Sequence, residues 1–107
     1  MPTYNPPLRD MQFVLHEVFN VEAEFKAMPA HADTDADTIN AVLEEAGKFA
    51  AEVAFPLNIS GDAEGCTLAQ STHAVTAPKA FKAAYEQYVQ GGWAALSCDP
   101  AYGGQGP

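Results

Sequence analysis

The chain has 107 residues, 48% of them hydrophobic, and 14 acidic against 5 basic side chains give a formal net charge of −9. That length sets one domain at most, and the apolar content argues for a folded chain rather than a disordered one. The negative balance argues against nucleic acid or an anionic membrane as partner, since both select a positive face, and no apolar run approaches the roughly 18 residues of a membrane span.

The opening "MPTYNPPLRD" lacks the charged-then-apolar order of a secretory signal. Pro6-Pro7 stops any helix before it and can open one after it. Leu8, Met11, Leu15, Val18 and Phe19 recur at helical spacing, which predicts an amphipathic helix over 8–19. Val21, Phe25 and Met28 extend that face less regularly, to a stop at Pro29.

The small acidic stretch "AHADTDAD" (30–37) offers several N-caps, with Thr34 and Asp37 at capping-box spacing. Ile39, Val42, Leu43, Ala46, Phe49, Ala50 and Val53 then share one face, predicting a helix over 36–54 bounded by Pro56. Glu44 and Lys48 are spaced for an ion pair on its outer face. Residues 57–76 lack a period. "SGDAEGC" reads as an irregular loop, with Thr67-Leu68 and Ala74-Val75 as two short extended pieces, at most a strand pair between 66 and 76. Two cysteines, Cys66 and Cys98, are too few for a disulfide framework and read as reduced thiols of a cytoplasmic protein. Thr76 as N-cap and Pro78 in the first turn open a third helix over 77–90. Its apolar stripe is Phe81, Ala84, Tyr85, Tyr88 and Val89, and Gly91-Gly92 end it. Trp93 and Leu96 suggest a buried short turn before the glycine loop "DPAYGGQGP" (99–107). The fold class expected is therefore all-α, with three main helices and an irregular loop or short hairpin.

Four patterns could carry chemistry. Asp33, Asp35 and Asp37 with Glu44 have the spacing of a calcium loop, but Thr38 stands where the sharp turn needs glycine and Asn40 where an apolar residue belongs. An acidic helix N-terminus, favoured by the macrodipole, is the simpler reading. His16, His31 and His73 show no paired ligand spacing, and Cys66 with His73 matches no common zinc spacing. His16 is expected to be partly buried beside the first helix, and His31 to be a solvated loop residue. The glycine loop fits neither the dinucleotide fingerprint nor the P-loop, and Ser71 and Ser97 have no base nearby in sequence. No catalytic, cofactor-binding or metal residue is therefore assigned.

Taken together, "AVLEEAGKFAAEVAFPLN" (41–58), "GDAEGC" (61–66), "APKAFKAAYEQYVQGGW" (77–93) and "PAYGGQG" (100–106) occur in an order that resembles the N-terminal helical domain of the acyl-CoA dehydrogenases. The nearest likeness is the branch that includes the 3-methylmercaptopropionyl-CoA dehydrogenases, whose N-terminal extension "YNPPLRDMQFVLHEVF" (4–19) resembles. Residues 1–29 are then the extension helix and 30–107 the family-like region. Two departures stand out: Ala80 where that branch usually has glycine, and Pro107, where the family runs on into further helices.

The resemblance implies a fold with a helical N-terminal domain, a β middle domain and a helical C-terminal domain. It implies FAD held between the latter two and a partner subunit. It also implies a glutamate on the C-terminal domain that takes the α-proton of an acyl-CoA thioester while a hydride passes to the flavin. None of these groups matches a residue of this sequence. The expectation is a truncated piece, inert and without FAD alone, whose partners are the missing domains or a homo-oligomer, with Trp93, Leu96 and Tyr102 left open. A stand-alone helical binding module is the alternative.

Overall fold

The computed structural model describes residues 2–106, so Met1 and Pro107, the last residue of the glycine loop, lie outside it. The fold is helical, as the apolar stripes predict, with a single two-stranded hairpin. Helix α1 (Leu8–Gln12) follows Pro6-Pro7 and widens into a turn of i→i+5 bonding over Phe13–Val18, closed by the Phe19 amide on the Val14 carbonyl at 3.1 Å. Asn20 then takes a left-handed conformation (φ 49°), which its short polar side chain tolerates. That bend redirects the chain. Helix α2 (Val21–Lys26) is thus a separate element, and Val21 and Phe25 do not prolong the first face.

Helix α3 (Ala36–Phe49) begins where predicted but does not end at Pro56. It passes through a second widened turn, Ala50–Ala54, in which the Phe55 amide reaches back to the Ala50 carbonyl, and continues as α4 (Phe55–Glu64). A proline inside a regular helix removes one hydrogen bond and crowds the carbonyl four residues earlier. Here the register is loosened immediately before the ring, and Pro56 occupies the first turn of the new run. The first part of the stretch without a period, Leu57 to Glu64, is therefore helical.

The chain next forms β1 (Thr67–Leu68) and β2 (Val75–Thr76), antiparallel, with Thr67 opposite Thr76 and Leu68 opposite Val75. The second strand lies one residue later than expected, so Thr76 is a strand residue and not the N-cap of the third helix. Helix α5 (Lys79–Gln90) has Pro78 at its N-cap. Gly92, at φ 82°, turns the chain out of it as predicted. Short 3₁₀ turns at Trp93–Ala95 and Pro100–Tyr102 complete the fold.

The continuous rod from Ala36 to Glu64 organises the packing. Neighbours come nearest to it at two buried glycines. A side chain at Gly47 would sit 3.2 Å from Pro6 and 3.4 Å from Leu8, and one at Gly61 would meet the Phe81 ring at 2.6 Å. What these contacts do not build is an enclosed core. Among the described residues no apolar side chain is fully buried. The Cα radius of gyration is 18.1 Å, against about 13 Å for a compact domain of this length. The molecule measures 57 × 37 × 18 Å, under two helix diameters in its thinnest direction. Its accessible surface is 7873 Å², roughly 2,000 Å² more than the ~5,800 Å² of a compact monomer of this mass. The apolar stripes are present as predicted, and large parts of them face outward.

Because Phe81 covers Gly61 directly, Gly61→Val should force the ring aside and separate α5 from the rod, at a cost of about 1–3 kcal/mol. Urea unfolding followed by far-ultraviolet ellipticity, against Asp62→Ala one residue along, checks this.

Candidate functional site

The features with the shape of a site are grooves along the rod. On one side, Gly47, Ala51, Phe55, Ile59 and Ala63 recur every fourth residue and so form a ridge along one helical face. The extended arm from Pro2 to Pro7 lies along it. Tyr4 stacks on Phe55 with ring centroids 6.0 Å apart, and Pro6 sits over Gly47. A groove of about 560 Å³ remains between arm and ridge, lined by Tyr4, Phe55, Pro56 and Ile59 among others. On the other side, Phe49 meets Tyr88 at 6.1 Å, and a groove of about 370 Å³ runs between Leu57 on the rod and Phe81 and Tyr85 on α5. A third, of about 170 Å³, is where the widened turn after α1, α2 and α3 meet Leu96.

The polar groups near these grooves are engaged in building helices. Asp35, and not Thr34 with Asp37, caps α3: its carboxylate accepts from the Thr38 amide at 2.8 Å. Glu22, on α2, accepts from the Ala36 amide and from Lys26. Both carboxyls are held below the ordinary carboxylate range. For Glu22 the cause is chiefly the Ala36 amide, then Lys26; for Asp35 it is the Thr38 amide. Glu64, at the end of α4, accepts from the Lys79 amide at 2.6 Å and so caps α5 across the hairpin. Lys48 pairs with Glu45 at 3.1 Å instead of Glu44, which raises the Lys48 pKa.

The calcium-like spacing thus resolves into a helix start. Asp37 and Glu44 stand on α3, Asp35 is its cap, and among the described residues no group of three or more His, Cys, Asp or Glu side chains is arranged to hold a metal ion. His16 is half-buried as expected, its Nε2 2.7 Å from Asn40 Oδ1, and ties the widened turn after α1 to α3. His31 is not a solvated loop residue. It lies in a 3₁₀ turn, half-buried, with its ring 5.7 Å from Phe25. Folding also brings His31, Ser97 and Asp99 to one open groove of about 280 Å³, a juxtaposition invisible in sequence. No hydrogen bond links the three, and the Asp99 carboxylate is held by the Ala101 amide at 2.9 Å, so Ser97 has no activating base. Cys66 and Cys98 are free and exposed.

The glycine loop is a closed knot. The amides of Gly104, Gln105 and Gly106 bond the carbonyls of Asp99, Ala95 and Cys98 at 3.0–3.2 Å. Any side chain at Gly104 would lie 1.9 Å from the Cys98 carbonyl oxygen, so only glycine closes this turn. Trp93 and Leu96 are half-buried behind it, whereas Tyr102 is 89% exposed.

The similarities of the chain agree with this picture of an open helical segment. It is 36% identical to a 3-methylmercaptopropionyl-CoA dehydrogenase of Ruegeria pomeroyi over 97% of its own length. It is 30% identical, again over 97% of its length, to the broad-specificity linear acyl-CoA dehydrogenase FadE5 of Mycobacterium tuberculosis. It spans 17% of the length of each of these curated relatives. No protein-family model matches it.

The two lowered carboxyl pKa values carry a pH dependence. Their contribution is fully present above the ordinary carboxylate range near pH 4 and is lost as pH falls through the lower folded-state values. Acid titration followed by far-ultraviolet ellipticity should show helix loss below ~pH 4. Asp35→Ala should lower helicity at neutral pH, while Asp35→Asn, still a good cap, should keep it and flatten the acid limb.

Proposed function

For a chain related to the acyl-CoA dehydrogenases, we propose that it provides helical scaffold to such an enzyme and performs no chemistry by itself. The observation that carries this reading is the open surface of a chain that aligns with dehydrogenases over nearly its whole length. Roughly 2,000 Å² beyond the compact expectation, with no aliphatic or aromatic side chain other than Pro78 buried among the described residues, supports an element that packs against more protein. The activity proposed for the whole protein is α,β-dehydrogenation of an acyl-CoA thioester. Residues 1–29 are read as a branch-specific extension, and 30–107 as the part shared with the wider family.

The residues present do not fit a flavin. Binding the FAD pyrophosphate calls for cationic side chains or amides converging on an enclosed site. Neither the four grooves described above nor a further one between Val42 on α3 and Trp93 contains Lys or Arg in its lining, and the one with a histidine also carries Asp99. Nor, in any of these grooves, is a nucleophile hydrogen-bonded to a base. We therefore assign the flavin and the proton-abstracting group to protein outside this chain.

The purified chain is expected to be colourless and inactive toward acyl-CoA thioesters, and to bind a hydrophobic dye strongly, more so as salt screens its charge of −9. Absorbance spectra, a dehydrogenation assay and dye fluorescence across a salt series check this. Stoichiometric flavin absorbance or turnover by the chain alone overturns the reading. A dye-negative profile at every salt concentration points instead to a finished, stand-alone binding module.

A further inference from the structure

We propose that the free chain pairs with a second copy of itself through the exposed face of α5, in an antiparallel, two-fold arrangement centred on Tyr85. This inference does not rest on the dehydrogenase reading.

Three observations support it. The first is the shape of the face. Phe81, Tyr85 and Val89 recur every fourth residue and are all exposed, Tyr85 to 66%. The groove that Phe81 and Tyr85 line together with Phe49, Leu57 and Tyr88 leaves room for an incoming aromatic ring. Aromatic anchors entering such pockets dominate most interfaces.

The second is area. A stable interface buries about 800 Å² on each partner, well under half of the surface this chain exposes beyond a compact monomer. A dimer therefore leaves surface elsewhere for other packing.

The third is charge. On a chain of net charge −9, α5 holds two of the five basic residues, Lys79 and Lys82, and one acid, Glu86. It is where two acidic copies meet with least repulsion. The ion pairs among the described residues are Arg9 with Glu17, Lys26 with Glu22 and Lys48 with Glu45, so Lys82 and Glu86 stand unpaired. Their order, Lys before Glu, is the weaker one for pairing within a helix.

An antiparallel pair centred on Tyr85 sets Phe81 against Val89 of the second copy. It also brings Lys82 to about 3 Å along the helix axis from level with Glu86 of that copy. Because the arrangement is two-fold, each contact occurs twice.

Sedimentation equilibrium from low to high micromolar concentration tests this. The expected result is a rise from 11.4 kDa to a plateau at twice that mass, at lower concentration when salt is raised. Tyr85→Glu should weaken the association roughly tenfold or more. Lys82→Glu and Glu86→Lys should each weaken it, and the double variant should recover it, with far-ultraviolet ellipticity confirming that each variant keeps its helices. General charge repulsion alone has Glu86→Lys strengthen association, since it makes the chain less acidic, so that result overturns the proposal. So does a single 11.4 kDa species at every concentration and salt, or growth past two copies without a plateau. A monomeric result leaves the flavin and dye tests of the preceding reading unaffected.

Discussion

Helices α1, α2 and α5 lean on one helical rod, Ala36 to Glu64, and its length is the constraint that shapes the molecule. At 1.5 Å per residue the rod is about 43 Å long. A compact domain of this size, with a radius of gyration of about 13 Å, is only some 34 Å across. The rod cannot be enclosed by the chain that carries it. It also presents more than one apolar face: Gly47 to Ala63 toward the N-terminal arm, and Phe49 with Leu57 toward α5. The result is a thin layer in which these helices touch the rod on one side and face outward on the other.

The polar chemistry follows from the same arrangement. With few places for side chains to converge, carboxylates act locally as helix caps. Asp35 serves its own helix, while Glu22 and Glu64 reach amides that begin helices many residues away. These reaches hold α2 to α3 and α4 to α5 where apolar contact is sparse. They also explain why an acidic chain shows no acidic site: three of its best-placed carboxylates are already hydrogen-bonded to backbone. Glycines play the matching role on the apolar side, letting Pro6 and Phe81 approach the rod where any larger residue holds them off.

Open faces, capped helix starts and a knotted glycine loop suit an element built for packing more than for turnover. This is consistent with a chain that matches 17% of the length of each dehydrogenase it resembles. The α5 face shows how such surface can act before it is covered. In the proposed pairing, an exposed aromatic stripe beside an unpaired Lys82 and Glu86 is complementary to itself, and the proposed packing against more protein draws on the same apolar area.

Much of the helical content was legible in the sequence, because amphipathic periodicity is a local signal. The starts near Leu8 and Ala36, the α5 stripe and the turn at Gly92 all follow from residues within one or two turns of each other. The ordered motifs likewise carried the family resemblance. The misreadings share a physical cause. Pro56 signals a helix end by local rule, and only the widened turn before it, supported by packing along the rod, lets the helix pass. Thr76 and Thr34 looked like caps by local rule, yet the amides that begin α5 and α3 are met by Glu64, Glu22 and Asp35. Whether His31 meets solvent or Phe25, and whether it shares a groove with Ser97 and Asp99, depended on where a distant loop came to rest. The sequence by itself thus determined the main apolar stripes, the acidic balance and the family likeness, since these reside in composition, spacing and motif order. Only the tertiary structure decided that the helices join into one rod too long to enclose and that the apolar stripes stay open. Burial depends on how many neighbours reach a side chain, and no local pattern counts them.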